Sequence, residues 1–516
     1  MRPVTPRRES PKVLVGSLVG MAIVLFMGMS ENPRPNVVVI VVDTLRADSV
    51  SVGMEQGVTP NIAALAARGT VFPQAFSHAP MTLPAHAALF SGRHPYETGV
   101  HNNGERVPEG LPLLAEHLRQ AGYQTEAVVS LATLWPDRDG HGLDRGFEGF
   151  DMGRLPVAPA EDTSARLDAT LERLDSDRPF FLFAHLSDPH EPYNEHAPHF
   201  AGEARAARAE ILLNGSSLDV VPTSRMSNWE TTLDLAPGTH SLVVQSDRPF
   251  KLRSLEASDD SGPIRQTFVH GSLLEQAIRV EVRLDNASDA SRHVTLRAWL
   301  NDAPSHDEIL ERYRSEVAAA DAAIGELIQG LKQRDLWDDT LVVLTSDHGE
   351  ALGEHGTVGH VINLYDELLH VPLVVRLPRD ERDEGLNASR GGLVRHIDVV
   401  PTVLERLDIS NLPGTTGTSL FEPIERLLIA ETHPPEAPRT LFTARDETYK
   451  LIFDPAGDSF EMYRLGPDPL ELDNVFSHQG QLRETWQLVL RRLGDEVKPS
   501  SARTSALQSK LSALGY

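Results

Sequence analysis

The chain has 516 residues, 40% of them hydrophobic and 24% charged, so it can bury a large core across about two to four structural units. A formal net charge of -26 argues against a nucleic-acid partner, because sequence-independent affinity for phosphate backbones comes from clustered Lys and Arg. The absence of cysteine excludes disulfides, thiolate metal sites and a cysteine nucleophile.

Residues 1–35 carry Arg2, Arg7, Arg8 and Lys12 ahead of the apolar run VLVGSLVGMAIVLFMGM, residues 13–29. Basic residues before an apolar run read as an export signal or a membrane anchor. The expected location is outside the cytoplasm, either anchored through residues 13–29 or free in a periplasmic or extracellular space.

The run NVVVIVV, residues 36–42, is β-branched throughout and ends at Asp43, which suits a buried strand of a parallel sheet. TPNIAALAARG follows as a helix, with Thr59 as the expected cap, Pro60 in the first turn and Gly69 at the stop. APMTLPAHAALF then runs from a tight turn into a helix from about Ala85. The Thr82 hydroxyl ahead of it reads either as a cap or as a nucleophile.

Further strands are expected at TEAVVS, FFLFAHL, LVVLTS and PLVVRL, alternating with helices. That alternation predicts an α/β fold around a mostly parallel sheet with helices on both faces. Ligands of such sheets bind beyond the carboxyl ends of the strands. Three of those ends carry polar clusters: DTLRAD after Val42, SDPHEPY after Leu186 and SDHGEALGEHG after Thr345.

The texture changes to two-residue alternation over 203–305, with a turn at Pro237 and Gly238, which predicts an inserted β-sandwich. Trp229 and Trp299 lie in it; each reads as a core residue or, less simply, as a sugar platform. The catalytic α/β domain is therefore expected in two pieces, 36–202 and 306–410. A small antiparallel C-terminal subdomain and tail follow over 411–516. Asp321, in AAADAAIGEL, reads as structural.

Asp43, Asp347 and His348 offer two oxygen ligands and one nitrogen ligand from two strand ends. This set fits one divalent metal ion with open positions, Mn, Zn or Ca. Such an ion would lower the pKa of a coordinated hydroxyl, and Thr82 is the candidate.

The ordered motifs NVVVIVVDTLRAD, TPNIAALAARGTVFPQAFS, TLPAHAALFSGRHP, GVHNNG, PFFLFAHLSDPHEPY, LVVLTSDHGEALGEHG, LYDELLHVPLVV, HIDVVPTVLERL and MYRLGPDPLELDN together resemble the sulfatase family of the alkaline phosphatase superfamily. The resemblance spans nearly everything after residue 35 except the β insert. It implies an alkaline-phosphatase-like fold, Thr82 as nucleophile, and Asp43, Asp347 and His348 as metal ligands with Thr82 beside them. It further implies His190 as a substrate-contacting proton donor, and Asn103 and His360 as groups that bind the oxygens of the transferred group. His86 reads either as a helix cap or as the stand-in for the arginine of the family signature.

Three departures matter. The signature Cys or Ser, which sulfatases oxidise to formylglycine, is Thr82 here, in Thr82-Leu83-Pro84-Ala85-His86, and threonine cannot give that aldehyde. The adjacent aspartate pair is reduced to Asp43-Thr44, and the usual Asp-Asn is Asp347-His348, closer to phosphonate and phosphodiester hydrolases. A formylglycine hydrate expels sulfate by elimination, whereas a threonine ester must be opened by in-line attack, which phosphorus accepts readily. The expected activity is metal-dependent hydrolysis of a sulfate or phosphate ester, the substrate being a small molecule, a glycan or a lipid. The alternatives are phosphoryl transfer to an envelope lipid or glycan, and a catalytically silent binding protein.

Overall fold

The computed structural model describes residues 34–496 apart from 52–56, 137–141, 192, 194–207, 223–226, 260, 261, 264, 271–275, 303–305, 380–389, 435–439 and 477–483. The apolar run at 13–29 lies outside the described residues. Among those described, no helix is long and apolar enough to cross a membrane.

A seven-stranded sheet forms the centre. Its strands are β1 (Asn36–Val42), β2 (Thr70–Val71), β3 (Gln124–Val128), β4 (Gly149–Asp151), β5 (Phe180–Leu186), β6 (Thr340–Thr345) and β7 (Leu373–Arg376), in the spatial order β2-β7-β6-β1-β5-β3-β4. The pairs among β6, β1, β5, β3 and β4 are parallel, whereas β7 pairs antiparallel with both β6 and β2. The sheet is thus mostly parallel, as the alternating pattern predicts.

The period of two in β1 explains why this strand is apolar throughout. Val37, Val39 and Val41 enter one core layer and Val38, Ile40 and Val42 the other, so both faces are covered. Helices α2 (Thr82–Ser91) and α5 (Val399–Arg406) pack on the first face. Helices α1 (Pro60–Ala66), α3 (Ala160–Glu172) and α4 (His306–Gln333) pack on the second.

Two caps differ from the sequence expectation. Thr59 makes no side-chain cap; its hydroxyl accepts the N–H of Ser51 at 2.8 Å. Asp321 from α4 takes the role instead, its carboxylate accepting the N–H groups of Asn61 at 3.0 Å and Ile62 at 2.8 Å. The residue read as structural is therefore the cap of a helix far away in sequence. Helix α2 begins at Thr82 rather than near Ala85, with Met81 in the capping position and no side-chain cap bond. Pro84 falls in the first turn, where its missing N–H costs nothing.

Between β5 and α4 lies an eight-stranded antiparallel sheet. Its longest strand, Gly238–Asp259, pairs with Gln276–Asn286 and Arg208–Leu213 along its first half and with Arg292–Asp302 along its second. The register slips between Gln245 and Phe250, where the strand changes partners, and side chains from both halves meet in one apolar cluster. Trp229 is buried in that cluster and donates its Nε1–H to Asp219 at 3.1 Å, a core residue in its placing. The Trp299 side chain lies outside the described residues.

At the C-terminal end a four-stranded antiparallel meander, Leu428–Thr432, Leu441–Arg445, Tyr449–Asp454 and Ser459–Arg464, packs under helix α6 (Glu484–Glu496).

Candidate active site

The pairing register brings the polar clusters together. Val42 lies opposite Leu186, and Val41 opposite Thr345, so β1, β5 and β6 end at one edge with Asp43 between the other two ends. The backbone there is bent against preference: Thr44, β-branched, has φ 57°. Three bonds hold it. The Thr44 N–H donates to Asp347 Oδ1 at 3.2 Å, the Thr44 hydroxyl donates to the Asp43 carbonyl at 2.7 Å, and the Tyr313 hydroxyl donates to the Thr44 carbonyl at 2.8 Å.

Asp43, Asp347 and His348 are fully buried, and one ligand atom from each lies within 4.8 Å of the others. His348 Nδ1 is 2.9 Å from the Gly349 carbonyl, which can only accept, so the ring proton sits on Nδ1. Its Nε2 lone pair then faces Asp347 Oδ2 at 3.4 Å and Asp43 Oδ1 at 3.9 Å. Burial, together with the nearby His360, holds His348 neutral, at about 3. Burial and the Asp43 charge push the Asp347 carboxyl well above the ordinary range. Burial alone would also raise Asp43, but His185, His190 and His348 around it bring it below that range.

Carboxylate oxygens and an imidazole nitrogen therefore converge in one buried place. Asp43 Oδ1 and Oδ2, Asp347 Oδ2 and His348 Nε2 have no hydrogen-bond partner among the described residues. Two carboxylates and a neutral imidazole arranged this way fit a divalent cation.

Thr82 sits in the first turn of α2, fully buried, and its hydroxyl also has no partner among the described residues. The capping alternative is excluded by this geometry, since no cap bond is made. A helix N-terminus there favours negative charge on an attacking oxygen. The N–H of Leu83 donates to Asn103 Oδ1 at 2.9 Å, which ties Asn103 to the same turn and turns its amide NH2 away from that bond.

His86 lies one turn into α2, its Nδ1 2.7 Å from the Thr82 carbonyl and 3.8 Å from Asp347 Oδ2. Burial, with the neighbouring His185, lowers it to about 3, so it is neutral and its contact with Asp347 is no ion pair. A permanent positive charge, as the signature arginine would supply, is absent at this position. The capping alternative for His86 fails too, because its ring bonds backward within the helix.

His190 and His360 face each other with ring centroids 4.9 Å apart, and His360 lies 4.7 Å from the His348 ring. His190 donates its Nδ1–H to the Glu191 carbonyl at 2.8 Å. His360 Nδ1 is 3.2 Å from the buried Glu350 carboxylate; burial would lower His360, but Glu350 raises it above its ordinary value. The Glu350 carboxylate thus favours the protonated form of His360. Its loop is strained, with Val361, β-branched, at φ 88° and Gly359 at φ 99°.

Two residues here escaped the sequence reading. His185 Nε2 lies 3.6 Å from Asp43 Oδ2, and its Nδ1 is 3.1 Å from the Ser130 hydroxyl. Its signal was present, as a lone histidine in the apolar strand FFLFAHL. Glu350 carried a weaker one, a glutamate directly after SDHG that resembles any exposed loop acid.

A mostly parallel sheet with this polar edge defines an α/β protein built to bind its ligand beyond the carboxyl ends of the strands. A family model described as Sulfatase matches residues 35–409, and the chain belongs to the sulfatase family. It is 26% identical to a choline-sulfatase of Rhizobium meliloti, over 86% of this chain and 82% of that one. Among solved structures it is similar to the phosphonate monoester hydrolase of Agrobacterium radiobacter, with TM-score 0.61 and 20% identity over 91% of this chain and 97% of that one. It is also similar to a protein solved in complex with D-glucosamine-2-N,6-O-disulfate, with TM-score 0.60 and 17% identity over 90% and 98% of the two chains. By class it is a sulfuric or phosphoric ester hydrolase.

Proposed function

We propose that this chain is a metal-dependent hydrolase of sulfate or phosphate esters in which Thr82 is the nucleophile. The observation that supports the reading is the meeting of Asp43, Asp347 and His348 atoms that lack a partner among the described residues, with His86 reaching from Asp347 to the turn of Thr82, whose buried hydroxyl lacks one too. Asp43, Asp347 and His348, with the Thr82 oxygen, would hold one divalent ion, which when bound lowers the pKa of a hydroxyl and neutralises the transferred group.

Thr82 Oγ gives its proton to solvent water and forms a bond to sulfur or phosphorus while the bond from that atom to the departing ester oxygen breaks. His190 donates a proton to the departing oxygen. His360, charged through Glu350, and the Asn103 amide bind the non-bridging oxygens, where negative charge is concentrated. Water then opens the threonine ester and restores Thr82.

The likenesses to a choline-sulfatase and to a phosphonate monoester hydrolase support sulfur and phosphorus esters as the class. The neighbour bound to a disulfated glucosamine supports sugars among the candidates. Threonine in place of a formylglycine precursor favours phosphorus, since opening of a phosphothreonine needs only in-line attack. The basic residues before the apolar run at 13–29 support export with the body outside the cytoplasm.

The test is a chromogenic panel of aryl sulfate, phosphate monoester, phosphodiester and phosphonate monoester, with added Mn, Zn or Ca. Thr82→Ala should lower kcat/KM on the preferred ester by at least about 10³-fold. Equal turnover by wild type and variant would sink the nucleophile. A chain that binds metal yet turns over none of the panel favours the binding-protein or transferase reading instead.

A further inference from the structure

A second group of metal-ligating side chains lies apart from Asp43, Asp347 and His348. His101, Glu431 and His433 each offer one ligand atom within 4.8 Å of the others. His101 Nδ1 is 2.6 Å and His433 Nε2 3.2 Å from the same carboxylate oxygen, Glu431 Oε1, and the two rings lie 4.8 Å apart.

A plain hydrogen-bonded trio accounts poorly for one detail. The Glu431 side chain is only 1% exposed, yet its Oε2 has no partner among the described residues, although a buried carboxylate oxygen left so is costly. The far nitrogen of His433, Nδ1, is 3.4 Å from the Thr440 hydroxyl. The Thr440 hydroxyl can accept the Nδ1 proton, and in that tautomer the His433 Nε2 lone pair is presented to a cation beside the carboxylate. A hydroxyl or carbonyl on the remote ring nitrogen is the usual companion of a metal-bound histidine.

We infer that His101, Glu431 and His433 form a second divalent-cation site, suited to zinc and similar borderline ions. Two imidazoles and one carboxylate make a three-ligand zinc set with an open fourth position, and they are too few and too nitrogen-rich for calcium. Adjacent ligand atoms around tetrahedral zinc stand about 3.3 Å apart, which follows from bonds of about 2.0 Å; His433 Nε2 already stands 3.2 Å from Glu431 Oε1, and His101 Nδ1, at 2.6 Å, would draw back to admit the ion. The His101 side chain is 14% exposed, which leaves a path for the ion.

The place of this site in the fold gives it a task. Asn103 follows His101 by two residues and is bonded to the turn that carries Thr82. Thr432, between Glu431 and His433, donates its hydroxyl to the carbonyl of Val361, the residue after His360. An ion bound here would reinforce the link that His101 and Glu431 already make between the two loops that carry Asn103 and His360. His101, Glu431 and His433 are thus positioning residues in relation to the ester.

The experiment uses the full chain, stripped with a chelator and dialysed against zinc, with metal measured per chain. Asp347→Asn disables the first site, so zinc kept by that variant reports the second alone. Asp347→Asn should keep one equivalent, and Asp347→Asn combined with His433→Ala should keep none. Cobalt loaded into Asp347→Asn should give the visible absorption of a low-coordinate histidine-ligated ion, absent once His433→Ala is added. The conservative Glu431→Gln should weaken zinc binding at least about tenfold with an unchanged circular dichroism spectrum, which separates lost ligation from lost folding. Asp347→Asn that holds no zinc, or zinc untouched by both His433→Ala and Glu431→Gln, would overturn the site. Neither result bears on the first site, which is read from metal lost on Asp347→Asn and kept on His433→Ala.

Discussion

The edge of the central sheet and the inserted antiparallel sheet treat buried polar groups in opposite ways. In the insert, Trp229 donates to Asp219, the Asn286 amide donates to the Leu235 carbonyl at 2.8 Å, and Arg292 Nε meets Asp259 at 2.5 Å. No buried side-chain nitrogen or oxygen among its described residues lacks a partner. At the sheet edge, atoms of Asp43, Thr82, His86, His185, Asp347, His348 and Glu350 all lack one. An unmet buried polar group costs about 1–3 kcal/mol, so the edge gives up stability that the insert keeps. The difference teaches where each region is fitted to bind charge and where it is fitted only to stay folded.

The comparison can be broken at its strongest point by Asp43→Asn. Turnover should fall about 10³-fold, through loss of one ligand, while the melting temperature of the metal-free chain does not fall. A variant that melts far below wild type while stripped of metal would mean that Asp43 serves the fold. In the insert, Leu296→Ala should have the converse signature. It removes a fully buried side chain from the shared cluster, lowers stability by about 3 kcal/mol in denaturant unfolding, and leaves kcat within about twofold. A large loss of kcat would show that the insert shapes the site.

A smaller effect sharpens the contrast. In chelator-treated protein, Asp347→Asn should raise stability by about 1 kcal/mol, because it removes one of two facing carboxylates. Added metal should stabilise wild type more than the variant, which keeps only the His101, Glu431 and His433 ligands, and a thermal melt with and without the ion reads the difference directly.

The smallest effect is expected at His355, a paired group outside both regions. Its Nδ1 is 2.9 Å from Glu367, its Nε2 is 3.2 Å from the Glu471 carbonyl, and its ring stacks on Tyr365 at 3.6 Å. Burial would lower its pKa, but Glu367 raises it above the ordinary 6.5. A raised histidine adds stability that is full below about pH 6.5 and is lost as pH rises through its folded value. His355→Gln should therefore cost about 0.5 kcal/mol near pH 6 and nothing at high pH. A pH series of melts in which the gap between wild type and variant widens with rising pH would contradict this.

By itself the sequence determined the strands, their alternation with helices and the three polar strand ends. These depend on periodicity and composition over a few neighbouring residues: NVVVIVV can hardly be anything but a strand covered on both faces. Asp43, Asp347 and His348 were legible for the same reason, because a residue just past a parallel strand has a fixed place at the sheet edge. Only the tertiary structure decided that Thr82 lies within its helix rather than before it, that Asp321 caps a helix 259 residues away, and that His86 is neutral. It alone joined His101 to Glu431 across 330 residues. Contacts of that span depend on how finished layers pack, and no local period in the chain encodes them.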